Sequence, residues 1–495
     1  MKNRLKNRSN PIDLNKEDFR KMGYQLVDSI ADFMDTIEEN PVTTAESSRE
    51  IRKIMGTSLL PEKGLDADVL LSKTTDLFLN HSLQNGHPKF MGYITSSAAP
   101  IGILADLLAA SVNPNVGAQV LSPVATEIEK QTVRWLAEFI GISSDCGGIL
   151  VSGGNMANFT AFLAARTAKL PLETKTEGIS NSTEKWTVYC SKTTHTWIEK
   201  AVVLFGLGLE AIRWIQADGD NKMVIAELEK AIKEDLNVGR KPFMVVGTAG
   251  DVSTGAVDDL YGIATICKKF DLWFHIDGAY GIPAAVVPEL KDKFNGIKEA
   301  DSIALDPHKW LYAPLEAGCT LVKNPKHLTD TFSSHPEYYN FSNPHDEDTQ
   351  NYYEYGLQNS RGFRALKVWL ILQQVGRNGY IKLFREDIEL SKLLFELAEK
   401  HPDLEAISNS LSITTLRYKP VHLPKDRNPE EFLNDLNEKL LNKLQFGGKV
   451  FLSNAIVKGK YCLRSCIVNF RTTQNDIEEI IQIIVKEGNH IVETQ

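Results

Sequence analysis

Apolar residues in "DFRKMGYQLVDSIADFMDTIEE" recur at helical spacing from Lys16 to about Glu39, and Pro41 stops the run, so the chain is predicted to open with an amphipathic helix. A second helix is predicted in "DADVLLSKTTDLFLNHSL". After an irregular "NGHPKFMGYITSSAAPIG", two more are expected, from Ile101 to Ala110 and from Ser122 to Ile140. From about Gly148 the pattern changes to short apolar runs alternating with helical stretches, the signature of a parallel sheet whose crossovers are helices. The predicted strands are "GILVS", "WTVYCS", "AIRWI", "PFMVVGTAG", "LWFHID", "SIALD" and "CTLVK". The predicted helices between them run from Asn155 to Lys169, Thr196 to Phe205, Val224 to Asp235 and Asp259 to Phe270. From about Gly362 a helical "FRALKVWLILQQVG" leads to the plausible strands "SITTLRYK" and "YCLRSCIVNF". The expected division is a helical N-terminal segment (1–100), a large α/β domain (101–375) and a small α+β domain (376–495).

At 495 residues and 42% hydrophobic content, a sizeable core is feasible. A formal charge of -9 argues against a nucleic-acid partner, which needs a concentrated basic face. Only "MKNRLKNR" is basic; no apolar stretch follows it as a secretory signal requires, and none elsewhere reaches membrane-spanning length. A soluble, cytoplasmic chain with no membrane contact is expected. Six scattered cysteines without CxxC pairs read as reduced thiols, and no HExxH or comparable ligand spacing occurs, so no metal is expected.

In open parallel sheets, ligands sit beyond the carboxyl ends of the strands, so the residues just past each strand are the candidates. "SGGNMAN" places Gly153, Gly154 and Asn155 at a helix start, where backbone N–H groups and the helix dipole favour a phosphate. "FGLGLEA" resembles a dinucleotide turn, but it comes after a helix and precedes a strand, the reverse of what that motif requires. "KTTH" brings His195 to a strand end, and "LWFHID" ends in Asp277, a carboxylate that needs a cationic or donor partner. "DPHKW" ends another strand with Lys309, an amine whose desolvation makes it a usable nucleophile. Taken singly, each has a bland reading as a tight turn, a cap or a surface lysine. Together, a phosphate turn, a carboxylate for a protonated ring nitrogen and an imine-forming lysine are the three handles of pyridoxal 5'-phosphate.

With "DPHKWL", "HIDGAYG", "HPKFMGYITS", "LSPVATEIE" and "LRSCIVNFRTT" in its sequence, the chain from about Glu17 to beyond Arg471 resembles the group II pyridoxal-phosphate decarboxylases, which act on aromatic amino acids, glutamate, histidine or diaminobutyrate. The resemblance implies the fold-type I, aspartate aminotransferase-like fold: a mainly parallel sheet with helices on both faces, a helical N-terminal layer and a small α+β C-terminal domain. It implies an imine at Lys309, Asp277 on the pyridinium nitrogen, Ala279 beneath the ring and His195 stacked above it. Gly154 and Asn155 would hold the phosphate, with help around His308. It further implies a proton donor at Tyr338, with Tyr339 as the neighbouring alternative, Arg464 near the substrate carboxylate, and a homodimer with a shared active site.

The departures concern the "TAGDVSTG" loop and the substrate. Asp251, Val252 and Ser253 do not reproduce the family's paired threonines, which leaves cofactor contacts there open. Tyr93 is kept in the expected pocket wall, but Asn85, Ile94 and Gly117 stand where the aromatic-amino-acid enzymes carry large aromatic residues. A roomier pocket is expected, with an aromatic substrate ranked ahead of an acidic or diamino acid. Decarboxylation to a primary amine is expected ahead of an aldehyde synthase, transaminase or lyase reaction, because position 338 holds Tyr and His195 is retained.

Overall fold

Asn15 starts the first helix for a local reason: its side-chain oxygen accepts from the N–H of Asp18 at 2.9 Å, filling a donor that helix geometry leaves free. The computed structural model describes residues 10–56, 58–179, 183–334, 349–425 and 427–494. Helices α1 (Lys16–Asp35), α2 (Ser48–Met55) and α3 (Ala67–His81) lead the chain, α1 against α3 with Lys21 and Asp68 paired at 2.8 Å. Then come α4 (Pro100–Val112) and α5 (Pro123–Ile140). The alternating region contains β1 (Gly147–Val151), α6 (Gly154–Lys169), α7 (Glu173–Thr176), β2 (Trp186–Ser191), α8 (Trp197–Leu204), β3 (Ile212–Ile215) and α9 (Ile225–Asn237). It continues through β4 (Lys241–Thr248), α10 (Leu260–Phe270), β5 (Trp273–Asp277), β6 (Ser302–Leu305), β7 (Gly318–Val322) and α11 (Lys326–Phe332). The remainder is α12 (Ala365–Lys400), β8 (Leu404–Ser410), β9 (Ile413–Tyr418), α13 (Pro429–Phe446), β10 (Ser453–Val457), β11 (Lys460–Cys466) and α14 (Gln474–Glu493).

Seven strands form one sheet in the order β1-β7-β6-β5-β4-β2-β3. The expectation of a parallel sheet holds except at β7, which runs antiparallel to both neighbours. The link from β6 to β7 contains the Lys309 turn and no crossover helix, the element that usually returns the chain for a parallel strand. Register aligns Thr248 with Asp277 and Asp277 with Ala304, so the carboxyl ends of β4, β5 and β6 make one rim. The strands are buried on both faces, and Ile276, Leu305, Leu150 and Val245 belong to one continuous apolar core.

A second, antiparallel sheet, β10-β11-β9-β8, packs a separate core of Leu416, Leu463, Leu436 and Ile480 under α13 and α14. Neither β8 nor β10 is signalled by the hydrophobic pattern; β10 alternates buried and exposed residues over only five positions. The predicted helix after Gly362 extends to Lys400, interrupted at Gly376, whose φ of 62° and ψ of 169° suit glycine and break the helical path. α12 packs on α4, α5, β8 and β9, and beyond the break its Tyr380 and Phe384 meet Phe139 of α5 edge-on. Among the described residues no helix is long and apolar enough to cross a membrane.

Candidate active site

The rim at the carboxyl ends of the large sheet opens into a cavity of about 590 Å³, closed on one side by residues of the small sheet. Among the sequence-predicted residues, Lys309, His308, Asp277, Ala279, His195, Gly154, Asn155, Tyr93, Ile94 and Arg464 all line it. Gly117 does not. Its carbonyl accepts from the N–H of Tyr353, and a Cβ there would stand 2.2 Å from the backbone oxygen of Asn359, so this glycine answers a packing demand outside the cavity of a single chain. Asn85 is also absent from the lining. Tyr338 and Tyr339 lie outside the described residues.

Lys309 sits in the turn after β6, its ammonium 2.9 Å from Asp306 Oδ2. Asp306 is itself buried, and its Oδ1 has no protein partner. The same turn is tied twice through His308: its backbone N–H donates to Ala317 O, and its Nδ1 accepts from the N–H of Ala317, both at 3.1 Å. Asp387 on α12 anchors the residues just beyond Lys309, accepting from Trp310 Nε1 at 2.7 Å and from the Tyr312 hydroxyl. Trp310 in turn stacks on Tyr280 with centroids 5.0 Å apart, which couples the turn bearing Lys309 to the turn after Asp277.

Asp277 is nearly buried and accepts from Trp197 Nε1 at 2.8 Å and from the Ala279 N–H at 3.2 Å. His195 lies on the turn between β2 and α8. Burial outweighs the nearby Asp277 carboxylate there and pulls its imidazole below the usual value, which keeps the ring neutral near pH 7. Burial lowers His308 in the same way. Below the floor, His275 is clamped between Ser302 Oγ at 2.9 Å and Asn158 Oδ1 at 2.7 Å, and burial pushes it down to about 4.

The start of α6 is shaped by its two glycines. Gly153 has φ 140°, and a Cβ on it would stand 3.2 Å from His308 Cε1; a Cβ on Gly154 would stand 2.7 Å from Asp306 Oδ2 and 3.3 Å from Ala279 Cβ. A bare backbone therefore presents the helix's first N–H groups to the cavity, an anion cradle by geometry and dipole. Arg464 comes from β11 in the other sheet. It is buried, donates to Val252 O and to Ser453 Oγ (2.9 Å for the latter), and its Nε has no partner. The "DVSTG" loop is held by its own Asp251, which accepts from the N–H groups of Ser253, Thr254 and Ala256, while Val252 and Ser253 face the cavity.

Asp306, Trp197, Leu315, Ser453 and Asn454 were not singled out from sequence as site residues. Asp306 had a signal, since it stands inside "DPHKW". For Trp197 the only signal was its place two residues beyond His195.

A ligand that uses this whole arrangement has an anionic end for the glycine cradle, a carbonyl carbon within reach of an amine, and a basic ring nitrogen facing a carboxylate. Pyridoxal 5'-phosphate has all three, and the donors and acceptors present fit it, so fold and site together define a pyridoxal-phosphate enzyme of fold type I. The family model described as "Pyridoxal-dependent decarboxylase conserved domain" matches residues 48–419. An aromatic-L-amino-acid decarboxylase of Bacillus atrophaeus is 36% identical over 97% of this chain and 96% of that protein. A phenylacetaldehyde synthase of a Rosa hybrid cultivar is 28% identical over 97% of this chain and 96% of its own length. The crystal structure of Catharanthus roseus tryptophan decarboxylase in complex with L-tryptophan superposes with a TM-score of 0.86 at 26% identity, covering 97% of this chain and 100% of that one. The chain belongs to the pyridoxal-dependent decarboxylase family. It is a carboxy-lyase, and its cofactor is pyridoxal 5'-phosphate.

Proposed function

We propose that this enzyme decarboxylates an aromatic L-amino acid to a primary amine and CO₂, working as a homodimer. The observation that carries the substrate class is the charge inventory of the cavity. Among the described residues lining it, the cations are Lys309 and Arg464, and the carboxylates are Asp277 and Asp306. Lys309 and Asp277 are engaged by the cofactor and Arg464 by the substrate's α-carboxylate. Among the described lining residues no second cation then remains for an acidic side chain, and the further carboxylate, Asp306, faces Lys309 rather than a diamino substrate. Tyr93, Ile94, Val252 and Leu315 supply apolar surface for a ring. Similarity to the Bacillus aromatic-L-amino-acid decarboxylase supports the same class.

When bound, pyridoxal phosphate supplies an electron sink for the pair that CO₂ leaves on Cα. Gly154 and Asn155 would hold its anionic end, Asp277 would accept from its ring N–H, and His195 and Ala279 would flank its ring. Lys309 would supply the amine that holds the cofactor between turnovers. Arg464 orients the substrate carboxylate as a planar donor. Tyr338 delivers the proton to Cα. A phenylalanine there should suppress amine formation and, with dioxygen, permit aldehyde, ammonia and peroxide instead.

The dimer reading is supported by an apolar row on α4, where Leu104, Leu107, Leu108 and Val112 are all exposed, with Phe19 of α1 and Phe78 of α3 also bare. Light scattering of the purified protein at twice the monomer mass is the expected result. The deciding experiment for activity is CO₂ release by the holoprotein across a panel of L-amino acids. Release from phenylalanine, tyrosine, tryptophan or dihydroxyphenylalanine is expected; release confined to glutamate or 2,4-diaminobutyrate would overturn the assignment. Stoichiometric peroxide in place of amine would mark an aldehyde synthase.

A further inference from the structure

Trp197 stands at the first position of α8, its side chain wholly buried. Its indole N–H donates to Asp277 Oδ2 at 2.8 Å, and its backbone N–H donates to His195 Nδ1 at 3.3 Å. One residue thus touches both the group that faces the cofactor ring's plane and the group that meets its nitrogen. The indole cannot swing away, because it packs edge-on against His275 at 5.8 Å and 85°, and His275 is itself held at both ring nitrogens.

We infer that Trp197 is a positioning residue that sets how the cofactor's ring nitrogen is held, acting through Asp277 and His195; this rests on the reading of the cavity as a pyridoxal-phosphate site. Each Asp277 oxygen has one protein donor, Trp197 Nε1 on Oδ2 and the Ala279 N–H on Oδ1, which fixes the carboxylate plane and leaves a lone pair on each oxygen. The indole N–H thus aims Oδ2 so that a remaining lone pair can accept a ring N–H. At His195, an N–H pointed at Nδ1 makes that nitrogen the acceptor and leaves the proton of the neutral ring on Nε2. Packing alone does not require these contacts, since a phenylalanine would keep the apolar character of the cluster that also holds Ile198, Ala201 and Phe162.

The test compares cofactor affinity in Trp197→Phe and wild type, each with pyridoxal phosphate and with its carbocyclic analogue, in which the ring nitrogen is a C–H. Loss of one hydrogen bond to a charged acceptor predicts about tenfold weaker binding of pyridoxal phosphate by the variant and less than about twofold weaker binding of the analogue. Equal weakening of both ligands would mean that the indole only packs, and no weakening of either would mean that it has no role toward the ring; each overturns the inference. If Trp197→Phe does not fold, site-specific replacement of Trp197 by 3-benzothienylalanine removes the N–H at constant shape, and the same comparison decides. Wild-type protein that binds neither ligand would overturn the cofactor reading itself, an outcome distinct from both of these.

Discussion

The ammonium of Lys309 and the carboxylate of Asp306 meet at 2.9 Å within one turn after β6, and the carboxylate is buried. On the proposed role of Lys309 as the amine that meets the cofactor's carbonyl, this contact must open before the amine can attack. Asp306→Asn keeps the shape and removes the anion, so it should speed cofactor capture by about tenfold, the scale of one charge-assisted hydrogen bond. Stopped-flow absorbance after mixing apoprotein with pyridoxal phosphate measures this. Borohydride trapping followed by peptide mapping should still find the label on Lys309. Slower capture by the variant would mean that Asp306 assists attachment rather than delaying it.

Gly154 carries the cradle by having no side chain. Gly154→Ala places a Cβ 2.7 Å from Asp306 Oδ2 and forces that carboxylate, or the anion beside it, to move. Cofactor affinity should fall at least about tenfold, while circular dichroism of the apoprotein stays unchanged because alanine is favourable in a helix. Fluorescence titration with pyridoxal phosphate is the readout.

Arg464 reaches the cavity from the small sheet with its Nε unpartnered and its terminal nitrogens on Val252 O and Ser453 Oγ. A lysine at that place offers a point charge instead of a planar fork. Arg464→Lys should raise KM for the amino acid by roughly ten- to a hundredfold and leave cofactor absorbance intact. An unchanged KM would remove Arg464 from substrate binding.

Asp387 predicts a pH effect with a definite sign. Burial, its largest influence, pushes this carboxyl up to about 7, against two donors that pull it down. Between about pH 4 and 7 the folded chain keeps a proton that the unfolded chain has released, so this group's contribution falls as pH rises through that window and is level above it, by up to about 4 kcal/mol. His275, held down to about 4, acts in the opposite direction: its contribution is present above about pH 6.5 and is lost as pH falls toward 4. The two partly cancel in the wild type. Asp387→Asn removes one of them, so the stability of the variant relative to wild type should climb from about pH 4 to 7 in urea titrations of the apoprotein. A flat difference would show that Asp387 titrates normally.

Much of the site was legible along the chain because a buried parallel strand writes itself as a short apolar run, and its carboxyl end is where polar residues resume. Lys309, Asp277 and His195 could be picked out on that basis before any contact was known, as could the glycine turn before α6. Conformational needs of this kind are local: a β-branched run, a pair of glycines or an Asn cap acts within a few residues. The same locality explains the misjudged edges, such as Ala249 and Gly250, which read as strand but lie beyond the end of β4, and β8, whose mixed polarity hides it.

What tertiary structure alone decided is which distant groups meet. Strand order brings Trp197 onto Asp277 across 80 positions, the small sheet delivers Arg464 to the "DVSTG" loop 212 positions away, and α12 sends Asp387 under Trp310. The reversal of β7 and the displacement of Gly117 from the cavity belong here too. By itself the sequence determined most of the elements of the large sheet, the strand-end candidates and the cofactor class they imply. The pairing of those elements depends on how two apolar cores exclude water and on the register of strands far apart in the chain, and no spacing along one segment encodes that.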